Sequence, residues 1–201
     1  TMKTKWDYTD LADAYLKRPS YSEAAIDAML DVARVGVESQ ICDVGAGAAH
    51  LTLMLAARGY DIKAIEPNEA MRANGMNRTI AFDNVNWWEG LGEQTGQESQ
   101  SFDMVTFGSS FNVCDRNQAL NETARILKPK GWFACMWNHR QLENEIQAIE
   151  YQSWKWPFEV HSEGKTVTID AEVRSSRFPP DFGSKDPEKD ARLEGLSGWI
   201  W

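Results

Sequence analysis

The stretch ICDVGAGAAH, residues 41–50, decides the fold of this chain. The apolar run at 40–44 predicts a β-strand, Gly45 and Gly47 predict a tight turn, and residues 48–58 carry apolar side chains at helical spacing. Glycine permits close approach of a ligand to the backbone, and the N-terminus of the following helix presents N–H groups to a carboxylate or phosphate. By itself this strand–turn–helix is a weak signal, because short glycine motifs also occur for structural reasons.

A carboxylate further along the chain strengthens the interpretation as a nucleotide-type site. Glu66 follows the second predicted strand, 21 residues after Gly45, where a carboxylate can accept hydrogen bonds from both hydroxyls of a ribose. A dinucleotide-binding turn usually reads Gly-x-Gly-x-x-Gly, whereas His50 occupies the sixth position here, an aspartate precedes the first glycine, and two helices precede the strand. These three differences disfavour a nicotinamide dinucleotide.

The alternation of strand and helix continues in both directions from the glycine turn. Two helices are predicted upstream, at 8–17 and 22–35, with Pro19 between them. Downstream, the pattern predicts strands at 61–66, 85–88, 102–107 and 132–137 and helices at 68–79 and 116–127, the last one stopped by Pro129 before a Lys130-Gly131 turn. The predicted fold class is therefore α/β, a doubly wound and mainly parallel sheet with helices on both faces in three layers.

The C-terminal part is less regular. Residues 141–154 fit a helix, 165–173 contain one alternating stretch typical of a strand, and 175–192 are polar and proline-containing, as in an exposed loop. This part is expected to be divergent or incomplete.

Composition limits the classes of partner. The formal charge of −9 and a pI of about 4.9 disfavour nucleic acid, because phosphate backbones are bound mainly through Lys and Arg. No apolar run approaches the roughly 20 residues of a membrane span, and the first ten residues lack the pattern of a signal peptide. We therefore expect a cytoplasmic protein without a membrane span; its oligomeric state stays open.

The three cysteines do not indicate a metal site or a disulfide framework. Cys42, Cys114 and Cys135 are widely spaced and lie in or beside apolar runs. Free cysteine behaves as a small buried hydrophobe, so we expect reduced core thiols and propose no metal.

Four motifs in order along the chain resemble those of the class I, Rossmann-like S-adenosylmethionine-dependent methyltransferases, in their small-molecule branch. The resemblance covers about residues 8–140. Its parts are DVGAG at 43–47 (motif I), AIEPNEAM at 64–71 (the acidic strand), Gly92-Glu93 before SFDMV at 101–105 (the adenine-side loop and fourth strand), and ARILKPKG at 124–131 (the helix-to-strand turn). Two positions depart from the family pattern: Ala49 replaces the third glycine of motif I, and Lys130 replaces a usual glycine.

The resemblance implies a set of residues that contact S-adenosylmethionine, the product being S-adenosylhomocysteine. The glycine turn would meet the amino-acid portion, Asp43 its ammonium, Glu66 the ribose, and Met71 and Glu93 the adenine. The full set is Tyr8, Tyr15, Asp43, Gly45, Ala46, Gly47, Glu66, Pro67, Met71, Gly92, Glu93, Gly108 and Ser109. For Tyr8 and Tyr15 the alternative is an amphipathic helix that packs its tyrosines on the sheet edge.

Catalytic candidates follow strands four and five, at the carboxyl edge where open α/β sheets bind ligands. We predict Asn112 and His139, the latter because an ordinary pKa of about 6.5 suits proton removal near neutrality. A surface or structural role for His139 stays open.

The resulting hypothesis is transfer of a methyl group to an oxygen, nitrogen or carbon atom of a small-molecule acceptor by direct displacement. Residues 1–140 would form the S-adenosylmethionine-binding domain with its N-terminal helices, and 141–201 a cap or sheet-completing segment of the same domain. Two alternatives stay open: a nicotinamide-dependent oxidoreductase, and a non-catalytic cofactor-binding protein with the same fold.

Overall fold

The computed structural model describes residues 7–138 with their side chains, and beyond them the backbone of four strands. The predicted helix at 141–154 lies outside the described residues, and so does the predicted loop at 175–192 except for its last residue, Arg192, which belongs to a short strand.

A seven-stranded sheet forms the centre of the fold. Its strands are β1 (Gln40–Val44), β2 (Asp61–Ile65), β3 (Val85–Trp88), β4 (Phe102–Gly108), β5 (Leu127–Met136), β8 (Arg192–Leu193) and β9 (Leu196–Ile200). The order is β3-β2-β1-β4-β5-β9-β8, with only the β8–β9 pair antiparallel. β6 (Trp156–Ser162) and β7 (Lys165–Ala171) pair separately as an antiparallel ladder. The predicted α/β class with a mainly parallel sheet is confirmed.

Five α-helices lie among the described residues: α1 (Ala12–Tyr15), α2 (Glu23–Ala33), α3 (His50–Ala56), α4 (Glu69–Arg78) and α5 (Arg116–Ile126). Side-chain caps begin three of them, because Ser22, Asn68 and Asp115 each accept a hydrogen bond from a backbone N–H in the first turn. None of the described helices is long and apolar enough to cross a bilayer.

Helices cover both faces of the sheet, as the apolar strands require. Ile41 belongs to a core cluster with α2 and α3, whereas Cys42 and Val44 belong to a second cluster with α5. Successive strand residues point to opposite faces, so a strand buried on both sides reads as a continuous apolar run. Cys42 and Cys135 are free, fully buried core thiols, and Cys114 is a free thiol of intermediate exposure.

Two elements differ from the sequence prediction. The helix predicted at 8–17 is a 3-10 turn (Thr9–Leu11) followed by one turn of α-helix, and Leu16, Lys17 and Arg18 bond three residues back. Pro19 has no backbone N–H to donate to the Tyr15 carbonyl four residues back, so an α-helix cannot continue to it.

The fifth strand begins at Leu127, directly after α5, and not at 132 as predicted. Leu127 pairs with Phe102, and the register then shifts before Met104 meets Trp132. Lys130 lies in this irregularity with a φ of 68°, a left-handed conformation that glycine adopts more easily. The predicted Lys130-Gly131 turn is thus an irregularity within a strand.

The carboxylate of Asp43 joins three elements at the centre of the sheet. It is fully buried at the end of β1, where Thr52 of α3 donates a hydrogen bond to it at 2.6 Å and Thr106 of β4 donates another at 3.0 Å. Burial raises the pKa of Asp43 to about 6 from its ordinary 3.8, although both hydroxyls favour the ionised form.

This buried carboxyl gives the fold a specific pH dependence. Folding favours its protonated form, so the stabilisation is present below the ordinary pKa and is lost as pH rises through about 6. Relative to Asp43→Asn, the wild-type free energy of unfolding should fall by about 2 to 3 kcal/mol between about pH 4 and about pH 7.5. Urea unfolding of both proteins across this range measures the difference; parallel pH profiles would contradict it.

Candidate functional site

A cavity of about 730 Å³ lies at the carboxyl edge of the sheet, where the strand order reverses between β1 and β4. Loops that follow β1 and β4 leave toward opposite faces and open a crevice, which is where doubly wound sheets bind ligands. The segments that follow β1, β2 and β4 all contribute to its lining.

The glycine turn after β1 is fastened to the end of β2. Gly45 and Ala46 both donate their N–H groups to the carbonyl of Ile65, at 2.8 and 3.0 Å, and Gly47 donates to the Glu66 carboxylate at 2.8 Å. Gly45 and Gly47 have φ values of 67° and 54°, which glycine adopts without steric strain. A Cβ at Gly45 would collide with the Cβ of Ser110, so a side chain does not fit there.

Ala49 occupies the third glycine position of the motif and takes the glycine conformation. It is fully buried, with φ 65° and ψ 32°, immediately before α3. This left-handed conformation costs a residue with a Cβ about 1 to 2 kcal/mol of conformational energy. The alanine therefore keeps the shape of the turn but strains it.

Glu66 is the buried acid of the site. Its second oxygen accepts a hydrogen bond from Asn68 N–H at 2.9 Å, so that its two oxygens bridge the glycine turn and the start of α4. Burial raises the pKa of Glu66, while the two backbone donors and the nearby Arg72 oppose that shift. Each carboxylate oxygen keeps acceptor capacity beyond the bond that it makes here.

Among the charged groups in the described lining of the cavity, carboxyl groups outnumber basic ones. Asp43, Glu66, Glu93 and Asp115 contribute four carboxyl groups, against one guanidinium from Arg18. Such a lining suits a cationic ligand and disfavours the two phosphates of a dinucleotide.

The segment after β4 closes one side of the cavity. Ser109 has a φ of 59°, a left-handed conformation, and its hydroxyl lies 2.9 Å from the Tyr21 hydroxyl. Burial raises the pKa of Tyr21 to about 12, which keeps the phenol protonated. Ser110 donates to the Val44 carbonyl at 2.6 Å and thereby ties this segment to β1.

Gly92 and Glu93, in the loop between β3 and β4, also line the cavity and lie against the segment after β4. Glu93 accepts a hydrogen bond from Asp115 N–H at 2.6 Å, so its carboxylate links this loop to the start of α5. A Cβ at Gly92 would lie 2.6 Å from the sulfur of Cys114, which shows how closely the two segments approach. Burial raises the pKa of the Cys114 thiol to about 12.

Residues 8–18, which we call the N-terminal strap, contribute three side chains to the cavity lining. The rings of Tyr8 and Tyr15 pack edge to face at 5.5 Å, and the guanidinium of Arg18 lies 4.8 Å from the Tyr15 ring centroid. Asn68 donates a side-chain hydrogen bond to the Thr9 hydroxyl at 3.1 Å.

The cavity brings together every residue predicted to contact the cofactor, from Tyr8 to Ser109, and also the catalytic candidate Asn112. Asn112 lies in a 3-10 turn and accepts a hydrogen bond from the Trp137 indole at 3.4 Å. His139, the other catalytic candidate, lies outside the described residues. The roles assigned to these residues stay predictions.

Sequence reasoning missed several lining residues, namely Leu91, Val113, Cys114 and Gln118. Leu91 directly precedes the predicted Gly92-Glu93 loop, so extending that motif by one residue would have found it. The other three have no motif of their own and reach the cavity through the path of the chain after β4.

Similarity to known proteins indicates the same family as the sequence motifs. A family profile described as a methyltransferase domain matches residues 42–135. The uncharacterized methyltransferase Rv3342 of Mycobacterium tuberculosis is 32% identical over 127 residues, 61% of this chain and 48% of the relative. The ubiquinone/menaquinone biosynthesis C-methyltransferase UbiE of Rickettsia akari is 33% identical over 110 residues, 50% of this chain and 44% of the relative. The chain thus spans about half the length of these curated relatives.

A solved structure shows the same fold. The crystal structure of a SAM-dependent methyltransferase from Aquifex aeolicus superposes with a TM-score of 0.56 at 18% identity, covering 81% of this chain and 95% of that chain. At this identity the likeness concerns the fold alone. The methyltransferase-domain profile confirms the predicted resemblance to methyltransferases, whereas the small-molecule branch stays a prediction.

The strain at Ala49 predicts the effect of a single methyl group. Ala48→Gly and Ala49→Gly both remove a buried methyl, but only Ala49 has a positive φ. We therefore expect Ala48→Gly to destabilise the fold, and Ala49→Gly to be more stable than Ala48→Gly by about 1 to 2 kcal/mol in free energy of unfolding. Urea unfolding of the two variants measures this difference, and equal losses would show that the turn at Ala49 is not strained.

Proposed function

We propose that this chain, which carries a class I methyltransferase domain, transfers a methyl group from S-adenosylmethionine to a small-molecule acceptor by direct displacement at oxygen, nitrogen or carbon. The convergence of three of the four motifs, at 43–47, 64–71 and 92–93, on one cavity at the reversal of strand order is the observation that carries this proposal. We further propose that residues 1–140 form the cofactor-binding part and that 141–201 complete the sheet or cap the site.

The residues around the cavity fit this cofactor. Glu66 has acceptor capacity for two ribose hydroxyls, and its neighbour Met71 is an apolar, buried side chain that suits an adenine face. The acidic lining suits a ligand with a positively charged sulfur and an ammonium group. The same lining argues against a nicotinamide dinucleotide, in agreement with His50 in place of a third motif glycine.

When bound, the cofactor supplies a methyl group on a positively charged sulfur that leaves as a neutral thioether. The chain's own task is then mainly to align the acceptor with that methyl, and alignment can contribute as much as about 7 to 11 kcal/mol in favourable cases. Hydrogen bonds hold the turn at Gly45–Gly47 to the end of β2. Another hydrogen bond holds Ser110 to β1. Both segments are therefore suitable as rigid walls of the site. Asn112 at the rim is positioned to orient an acceptor, and His139 stays our candidate for proton removal.

The relatives suggest where to begin with acceptors. UbiE is named a C-methyltransferase of ubiquinone and menaquinone biosynthesis, so carbon acceptors of the quinone-precursor type belong in a first screen. Hydroxyl and amine acceptors belong there too, because no described residue selects one acceptor atom.

Titration calorimetry with S-adenosylhomocysteine tests the proposal. The wild-type chain should bind, and Glu66→Ala should weaken binding at least about tenfold, because charge-assisted hydrogen bonds contribute about 1.5 to 3 kcal/mol. Glu98→Gln is the matched control, since it also removes one carboxylate but at an exposed position away from the cavity.

Glu66 also holds the glycine turn, so thermal melting must show that Glu66→Ala is folded at the titration temperature. A folded wild-type chain that binds NADH, measured by cofactor fluorescence, in place of S-adenosylhomocysteine would overturn the proposal in favour of an oxidoreductase. Binding without methyl transfer to any acceptor in the screen would favour a non-catalytic protein.

A further inference from the structure

His50 connects the glycine turn to the N-terminal strap. It is the first residue of α3, directly after the turn, and its Nε2 lies 2.8 Å from the carbonyl oxygen of Tyr15, which is 35 residues earlier in the chain. A side chain next to the glycine turn thus contacts the backbone of a segment that contributes to the cavity lining.

The protonation of His50 follows from its surroundings. A carbonyl oxygen only accepts hydrogen bonds, so Nε2 carries the proton and Nδ1 is the bare nitrogen of a neutral ring. Nδ1 is buried and has no hydrogen-bond partner within residues 7–138. Burial lowers the pKa of His50, and the nearby cations Arg78 and Arg18 lower it further, so the neutral form is favoured at neutral pH. The bond from Nε2 is therefore the ring's one hydrogen bond to the described part of the chain.

The other cavity-lining side chains of the strap contact Tyr15. The Tyr8 ring packs against the Tyr15 ring, and the Arg18 guanidinium lies over its face. Two other side-chain bonds reach the strap from α4 and its cap: Asn68 donates to Thr9 at 3.1 Å, and Asn74 donates to Asp13 at 3.4 Å in a more exposed place. The bond from His50 is shorter, at 2.8 Å, and part-buried, and it contacts Tyr15 itself.

We propose that His50 is a positioning residue whose Nε2–H holds the N-terminal strap against the cavity and thereby sets the affinity of the site for S-adenosylmethionine. The identity of the ligand in this proposal rests on the proposed function. The attachment of the strap itself is a property of the free protein.

Two substitutions of similar shape distinguish the hydrogen bond made by Nε2 from other effects of removing the imidazole. Glutamine places an amide N–H₂ near the position of Nε2, whereas asparagine places one near Nδ1 and is too short to reach Tyr15. We expect His50→Asn to weaken S-adenosylhomocysteine binding about fivefold, the value of one ordinary hydrogen bond, and His50→Gln to bind within about twofold of wild type. Asn74→Ala is the control, since it removes the exposed contact of the strap, and it should bind like wild type.

Hydrogen–deuterium exchange of the peptide that contains residues 8–18 provides a second readout, which needs no ligand. The amides of Leu16, Lys17 and Arg18 should exchange faster in His50→Asn than in wild type, and His50→Gln should restore the wild-type rate. If S-adenosylhomocysteine fails to bind the wild-type chain, the proposed function fails, and the exchange rates still decide whether His50 holds the strap.

Two outcomes overturn the proposal. One is that His50→Asn matches wild type in both binding and exchange. The other is that His50→Gln and His50→Asn lose binding equally while their melting temperatures stay at the wild-type value, because the Nε2 donor would then not be the group that matters.

Discussion

The two backbone hydrogen bonds accepted by Glu66 are the constraint on which the site depends. One oxygen holds Gly47 in the turn after β1, and the other holds Asn68 at the start of α4. Helix α4 approaches the turn so closely that a Cβ at Gly75 would lie 2.8 Å from the Gly47 carbonyl oxygen. The acid, the glycines and the helix start are therefore one unit, and a change in any of them moves the others.

Asp43 is a second buried carboxylate that links several elements through hydrogen bonds. Its carboxylate joins β1, α3 and β4 through two threonine hydroxyls, and it is buried at 0% exposure. A buried carboxylate is retained only where hydrogen bonds offset its desolvation. Because the Thr106 bond links β4 to β1, Asp43 joins the two strands whose following loops form two of the cavity walls. Both buried acids thus serve the shape of the site as well as its charge.

Much of the fold could be predicted because it is encoded locally. Apolar periodicity predicted β1, β3 and the approximate bounds of α2, α4 and α5, and Asn68 is the helix cap that its residue type suggests. The strap and the start of β5 were predicted incorrectly, because 3-10 bonding near Pro19 and the register shift around Lys130 leave no periodic signal. The candidate site followed from the motifs, whereas the contact between Tyr21 and Ser109 joins residues 88 positions apart and could not be read from spacing. The methyl acceptor of the proposed reaction could not be predicted, because no motif in the sequence specifies the side chains that would bind it.

A crystal structure of the chain with S-adenosylhomocysteine tests the central claim most directly. The ligand should occupy the cavity, with both ribose hydroxyls within about 3.2 Å of the Glu66 carboxylate and the sulfur facing the segment after β4. If the ligand bound elsewhere, or in this cavity without contact to Glu66, the carboxylate and its glycine turn would have only a structural role and the proposed cofactor site would be wrong.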